Sequence, residues 1–415
     1  MNLTSAFEID QLGAKVLVEI TSSLFRKRPD GTYESTMSLE NLVCRLSNFD
    51  TSDPRDTINA FLNICKERNN GNFNHGHPVP EPDYSKDLFS VYRDFVKWVI
   101  TTSNSLDIIC RYWALPERQF KTPTTPRLVE LPTWIQSVDD SAFGRGEEVF
   151  DGRKAGDSFV GLPGFYQYHA SGTGWRHKSP KFRFPIDPGT DRSTSKQNSK
   201  TSSSDHFIDH DMSLLVTGVA IGEVSFRNQP FADGVIPKEC LEKLGWSFNW
   251  RATSINSVPD QLWQTLVADR GLNGAPKPHF YRRACQHCLV NLTRNGHINI
   301  DTLLRESNGY TKDYLERVRA VTWDRSFIEG SPIVTDKRRS YTGASDALVG
   351  LGPPKTKEGD VIAILYGCSV PVILRPIDGE LAPQSYEFVG EAYIYGKMDG
   401  EAIDEHYEER EFRLI

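Results

Sequence analysis

The sequence predicts an α+β fold: a helical N-terminal part, a mixed α/β middle with a disordered insert, and a small antiparallel β module at the C-terminus. Three observations carry the prediction. Apolar residues recur at helical spacing between Ile58 and Trp113; Thr190 to Asp205 holds no apolar residue; and beyond Val361 the apolar runs are short, β-branched and punctuated by glycine and proline. The organisation expected is a helical region over 1–120 and an irregular linker over 121–210, with the disordered insert near 190–205. A mixed α+β region over 211–335 and the β module over 336–415 complete the chain.

Asp53-Pro-Arg-Asp56 opens a helix, with Asp53 as N-cap, Pro54 at the first helical position and the Asp56 carboxylate at the positive end of the dipole. Ile58, Phe61, Leu62 and Cys65 then share one face. A second helix starts near Ser85 and runs to about Ile100 on the stripe Leu88, Val91, Tyr92, Phe95, Val96 and Val99. Leu106 to Trp113 is a shorter helical segment, ended by Pro116. Pro123, Pro126, Pro132 and the glycines from Gly144 to Gly174 then break regular structure repeatedly, leaving Leu131-Pro-Thr-Trp-Ile135 as an apolar island. Thr190 to Asp205 has nothing to bury and cannot repay its ordering entropy, so it reads as a disordered surface loop.

Order resumes at Ser213 to Phe226, where Leu215, Val219, Ile221 and Val224 mark one or two strands around Gly218 and Gly222. Helices follow over Pro237 to Leu244, Pro259 to Ala268, Pro278 to Val290 and Thr311 to Val321; the first three begin at or near a proline, which loses least there from its missing donor. Asp324 to Thr335 returns to strand. Val361 to Tyr366 and Val370 to Leu374 are buried strands joined by a turn at Gly367-Cys-Ser369, too short and too interrupted for a membrane helix. From Tyr386 the pattern alternates: Tyr386, Phe388, Ala392 and Ile394 face the core, and Glu387, Glu391, Tyr393 and Tyr395 face a wetter side. Gly390 marks a bulge or a close backbone approach, and Pro371 restricts its strand to an edge or a bulge.

The chain has 415 residues, a formal net charge of -7, and apolar and charged shares of 38% and 25%, as in a globular protein with a polar insert. The lack of a basic excess argues against nucleic-acid binding and against membrane-surface binding. No secretory signal opens the sequence and no stretch is long enough to span a membrane, so a cytoplasmic location is expected. Seven scattered cysteines do not form a disulfide framework.

No residue set is singled out as catalytic, cofactor-binding or metal-binding, and no cofactor is implied. Cys285-Gln-His-Cys288 has zinc-like spacing but lacks a second pair; on a helix, Tyr281, Ala284, Cys285, Cys288 and Leu289 make one apolar stripe that points both thiols into the core. His75-Gly-His77 lies in a Gly/Asn/Pro loop. Ser158, in Gly156-Asp-Ser-Phe-Val-Gly161, lacks the Gly-x-Ser-x-Gly spacing of a nucleophile elbow. Gly350-Leu-Gly352 before Pro353-Pro354 reads as a strand-to-strand turn without the amide cradle of a phosphate loop. The charges in apolar contexts, Asp269-Arg270, Arg282-Arg283, Asp324-Arg325 and Arg375, pair locally or cap helices, with Arg375 and Glu391 expected as a cross-strand ion pair. An enzyme reading would need a site assembled from distant residues, with Arg282, Asp324, Arg325 or the pair Cys285 and His287 as contributors.

The strings Gly352-Pro-Pro354, Gly359-Asp360 and Val389-Gly-Glu391 resemble the C-terminal region of fungal heterokaryon incompatibility (HET) domain proteins. Upstream, Asp53-Pro-Arg-Asp56, Pro82-Asp-Tyr-Ser85, Val91-Tyr-Arg-Asp-Phe95, Leu106-Asp-Ile-Ile-Cys110, Leu131-Pro-Thr-Trp134, Leu266-Val-Ala-Asp-Arg270 and Tyr281-Arg-Arg-Ala284 are similar to that family's strings, in order. The HET domain, with its Ala-Leu-Ser-Tyr-x-Trp-Gly-like and Trp-Ile-Asp-x-Leu-Cys-Ile-like strings, is not found here. The resemblance therefore implies a non-catalytic regulatory or interaction region linked to nonself recognition and incompatibility cell death. Its implied partner is a HET domain or another fungal protein; a truncated product without its own activity is the other reading.

Overall fold

The computed structural model describes residues 18, 20–46, 51–69, 77–115, 131–138, 158–185, 211–231, 234–247, 257–333, 347–377, 384–405 and 407–415. The expected disordered insert and His75 lie outside them, as does most of the expected linker.

The N-terminal part comprises the hairpin β1 (Phe25–Lys27) and β2 (Tyr33–Ser35), then α1 (Leu39–Leu46), α2 (Asp56–Asn59), α3 (Lys66–Asn69) and α4 (Leu88–Ser103). The helix expected from Asp53 is one turn: the Asp53 carboxylate receives the Arg55 N–H at 2.9 Å, but the Arg55 side chain turns back onto the same carboxylate, and turns replace helix after Asn59. Its apolar face is nonetheless buried, through Ile58, Leu62 and Cys65. α4 lies where its stripe places it. The Asp87 carboxylate caps it by accepting the Ser90 N–H at 2.7 Å, and Phe95, Val96, Val99 and Ile100 reach the core. Leu106 to Trp113 holds a single 3₁₀ turn, Asp107–Cys110, because the chain is drawn there into polar contacts described below.

Next come β3 (Phe182–Arg183), β4 (Leu214–Arg227), β5 (Val235–Ile236), α5 (Lys238–Lys243), α6 (Asp260–Leu266), α7 (Tyr281–Val290), β6 (Ile298–Asn299), α8 (Ile300–Glu306) and α9 (Gly309–Thr322). Pro237 and Pro259 stand at the N-cap, with extended ψ of 147° and 137°, one residue before the expected first helical position. α8 has no counterpart in the sequence reading; it is short, its first two residues are a β-branched residue and an acid, and its start depends on Asn299 accepting the Thr302 N–H at 2.8 Å. The last elements are β7 (Ser326–Pro332), β8 (Leu348–Gly352), β9 (Val361–Leu365), β10 (Val372–Pro376), β11 (Ser385–Glu391), β12 (Tyr393–Ile394), α10 (Glu401–Asp404) and β13 (Glu409–Leu414).

The α+β class and the antiparallel C-terminal module are borne out, and the module closes through β4 and β7, which come from the region before it. β4 pairs β13, β13 pairs β11 in parallel, β11 pairs β10, β10 pairs β9, and β9 returns to β4. The far half of β4 pairs β7, which leads through β8 to β12, the continuation of β11. A ladder that returns to its starting strand leaves no edge and makes a barrel. The 14-residue strand β4 starts both paths, pairing β13 along its first half and β7 along its second.

Side chains alternate between two cores. Ile221, Ile328, Ile362, Ile364, Ile373 and Ile394 fill the barrel. Val216, Phe327, Leu351, Leu365, Leu374 and Tyr393 point outward into a core shared with the helices. Strands buried on both faces read as continuous apolar runs, as Val361 to Tyr366 does. The interior is narrow: a Cβ on Gly222 would lie 2.5 Å from the Leu348 side chain, and one on Gly330 2.6 Å from that of Ile362.

The bulge expected at Gly390 is present: pairing with β10 skips Val389, and Gly390 has φ 146°. The wetter face expected for Glu391 and Tyr393 is not; both are buried because another segment of the chain lies across them.

Candidate functional site

That covering segment is 158–171, and it is pinned by a carboxylate. Glu391 stands at the end of β11, just past the bulge that turns it away from the sheet's polar side. Its Oε1 accepts the Phe159 N–H at 2.9 Å and an Arg325 guanidinium N–H at 2.9 Å, and its Oε2 accepts the Val160 N–H at 2.9 Å and the Ser158 hydroxyl at 3.0 Å. Arg325 follows Asp324, which has φ 47°, and is held in place by donating to the Val321 carbonyl at 2.7 Å. Its guanidinium carbon lies 3.8 Å from the centre of the Phe159 ring, so one cation serves both the carboxylate and the aromatic face beside it.

Phe159, Tyr168 and Tyr393 form an aromatic triangle with centroid separations of 6.1–6.5 Å. Arg270 lies 4.6 Å over the Tyr168 ring, donates to the Gln167 carbonyl at 3.0 Å and grips Asp399 with two bonds of 2.8 and 3.1 Å. The Tyr168 hydroxyl donates to the Ala268 carbonyl, which the left-handed pair Ala268 and Asp269 directs toward it. Burial, opposed by the nearby Arg270, pushes the Tyr168 phenol above its ordinary range, so it stays a neutral donor. Behind them Arg317, buried in α9, donates to the Arg270 carbonyl at 3.2 Å; burial and the neighbouring Arg325 lower its pKa to about 10.

The other end of the same segment is held by the N-terminal part. The Gly161 carbonyl accepts from Arg111, whose guanidinium also reaches Glu40 at 2.5 Å and approaches Asp107 at 3.9 Å. Asp107 is fully buried and accepts the Ser369 N–H at 2.7 Å, while the Gly367 carbonyl receives the Leu106 N–H at 2.9 Å. Burial raises the pKa of both Asp107 and Glu40, with Arg111 opposing it. For Arg111 burial works against the charge, but Glu40 and Asp107 outweigh it and hold its pKa above the ordinary value. Cys110 and Cys368 sit beside this latch as buried thiols, each with its pKa raised. His169 and Ala170 add backbone bonds to Met398 and Ser369, both 2.9 Å. The segment thus straps the N-terminal part, the middle helices and the barrel together.

The residues weighed from sequence are dispersed. Cys285 and Cys288 face the core from α7 as their stripe requires, and His287 is on the exposed side of that helix. Arg282 donates to the Val258 carbonyl at 2.8 Å. The Ser158 hydroxyl donates to the Glu391 carboxylate and to the Val160 carbonyl. Arg375 does not pair with Glu391: it binds Asp360 with bonds of 3.0 Å and approaches Glu387 at 3.4 Å, because strand register sets it opposite Glu387 while Glu391 lies opposite Val372. No group of three or more His, Cys, Asp or Glu suited to a metal ion occurs among the described residues. The partnership of Glu391 with 158–160 was invisible in sequence, since two of its donors are backbone amides from the far side of the chain.

Part of the barrel matches a known family. Residues 332–415 match the Het-6 beta-barrel domain family. A 95-residue stretch is 33% identical to heterokaryon incompatibility protein 6, OR allele, of Neurospora crassa, covering 22% of this chain and 14% of that protein. The chain is related to the fungal heterokaryon incompatibility proteins. The likeness spans only about a seventh of the Neurospora protein's length, and no solved structure matches the chain. β4 and nearly all of β7, which complete the barrel, lie before the matched segment. No helix among the described residues is long and apolar enough to cross a membrane.

Proposed function

We propose that this chain is a non-catalytic regulatory or interaction region of a HET-type protein, acting in the cytoplasm in fungal nonself recognition and incompatibility cell death. What supports this reading above all is how the candidate site spends its polar groups. Glu391, Arg325, Arg270, Asp107 and Arg111 hold backbone and one another, which is the work of a rigid support for surfaces. The barrel interior is filled by aliphatic side chains, with glycines where the walls approach closest. Its partner in this reading is a HET domain or another fungal protein.

Isothermal titration calorimetry and pull-down of the full chain with a recombinant fungal HET domain test the proposal. Saturable binding is the expected result. Absence of heat and of co-purification, with the chain shown folded by circular dichroism, would sink it.

A further inference from the structure

Beyond the anchored residues of the strap, the chain from Ser158 to Pro185 exposes large apolar side chains in two turns. Leu162-Pro-Gly-Phe165 is a β-turn closed by the Phe165 N–H donating to the Leu162 carbonyl at 2.8 Å, with Gly164 at φ 84°. It displays Leu162 and Phe165 side by side at 50% and 73% exposure. Nine residues on, a one-turn 3₁₀ helix, Gly174–Arg176, displays Trp175 at 88% exposure. Space is open at both turns: a Cβ added at Gly164 or at Gly174 would meet nothing within 4 Å. Both are also held at the base, the first through Glu391 and Arg111, the second through the Lys178 N–H donating to the Ser171 carbonyl at 2.9 Å and the Gly172 N–H to the His169 carbonyl at 2.8 Å.

Charge sets this stretch apart. From Ser158 to Pro185 there is no acidic residue, while Arg176, Lys178, Lys181 and Arg183 are all present, in a chain whose net charge is -7. The carboxylates facing these cations come from α10 and β13: Asp404 meets Arg176, Glu409 meets Lys181 at 2.7 Å and Glu411 meets Arg183 at 2.7 Å. These pairs are solvent-exposed and individually weak, so each cation can trade its carboxylate for another anion. Lys178 lies 5.7 Å over the Tyr366 ring.

We propose that this stretch docks on a lipid bilayer surface bearing anionic headgroups, inserting Leu162, Phe165 and Trp175 to the headgroup level. A bilayer suits these turns better than a folded partner: two separate exposed turns fit a soft interface that receives side chains at any spacing, and an indole with the Arg176 guanidinium 4.8 Å from its ring centre is the side chain that such an interface favours. A nucleic-acid platform would instead set its aromatic faces along a cationic groove, and the Leu162–Phe165 turn carries no cation. The overall charge, read from the sequence as arguing against membrane-surface binding, conceals this acid-free stretch.

The test is co-sedimentation of the full chain with phosphatidylcholine vesicles with and without phosphatidylserine, alongside tryptophan emission. Phosphatidylserine is expected to raise the bound fraction, added salt to lower it, and emission to shift to shorter wavelength. Phe165→Ala and Trp175→Ala should each weaken partitioning about tenfold, Trp175→Phe should remove the emission shift, and Lys178→Glu should reduce the phosphatidylserine preference. These side chains are exposed, so the thermal transition of each variant should match that of the unmodified chain. No sedimentation with phosphatidylserine vesicles, or equal sedimentation of all variants, overturns the proposal. Loss of HET-domain binding in the aromatic variants, with no vesicle binding by the unmodified chain, overturns it in favour of a protein partner.

Discussion

Glu391 concentrates more of the molecule's connectivity than any other carboxylate described here, because its four donors come from two segments distant in sequence. Its removal leaves the Arg325 charge and two backbone N–H groups buried without their acceptor. Glu391→Ala should therefore destabilise the chain by about 3–5 kcal/mol, and Glu391→Gln, which keeps one acceptor oxygen, by about 1–3 kcal/mol. Urea unfolding measures both, and protease cleavage should appear first near Ser158 in either variant. A loss below about 0.5 kcal/mol for Glu391→Ala would mean that the strap is held elsewhere. Asp107 makes a prediction of opposite character. Burial raises its folded pKa above the unfolded value, so the folded state binds the extra proton. Its contribution to stability is then fully present below the ordinary aspartate pKa and is lost as pH rises through the folded value. Asp107→Asn removes that loss, so the stability of wild type relative to the variant should fall as pH rises from acid toward neutral. A flat difference across that range counts against a raised Asp107 pKa.

At the scale of elements, what could be read from sequence was what local chemistry decides. α4 follows from its stripe and the Asp87 cap, and Asp87→Ala should cost about 1 kcal/mol in thermal unfolding. The cysteine face of α7, the strands β9 to β11 and the bulge at Gly390 follow from periodicity and glycine placement. The strap does not, because 158–171 has no repeating pattern and its anchors are partners chosen by the tertiary fold: a carboxylate after a bulge and an arginine in another segment. The Arg375 to Glu391 pairing failed for the same reason, since register across a bulge is not written in either strand alone. Glycine in β8 shows how tightly the strands then meet. A Cβ at Gly350 would lie 1.9 Å from the Tyr393 carbonyl oxygen, whereas one at Gly359, φ 89°, meets nothing within 4 Å. Gly350→Ala is expected to displace β12 from β8 and cost more than about 3 kcal/mol, and Gly359→Ala to cost about 1 kcal/mol through its backbone conformation alone. Thermal denaturation of the two variants separates backbone crowding from conformational strain.

For the whole molecule, the unit that other proteins share and the unit that can fold alone need not coincide. The family match covers 332–415, yet within the described residues β13 and β9 bond to β4 along opposite edges, and β8 bonds to β7. A fragment of residues 332–415 would expose the edges of β9, β13 and β8 and leave Ile362, Ile364 and Ile373 without Val219, Ile221 and Ile328 to pack against. Open edges invite pairing with other chains, and half an interior cannot offset the entropy of ordering the strands. The fragment should therefore aggregate or show no cooperative thermal transition, and a fragment of residues 211–415, which restores β4, β7 and the helices over the outer face, should regain one. Circular dichroism melting and analytical ultracentrifugation of both decide the point: a monomeric, cooperatively melting 332–415 would show that the barrel closes without its borrowed strands. In that event β4 and β7 would be an addition to a self-sufficient module, and the strap would join two independent bodies. If the longer fragment alone melts cooperatively, Leu214–Arg227 and Ser326–Pro332 belong to the same folding unit as the C-terminus. The strap's anchors on Ser369, Glu391 and Met398 then connect that unit to the N-terminal part at Arg111, so a force applied to the strap at its exposed turns is transmitted to both.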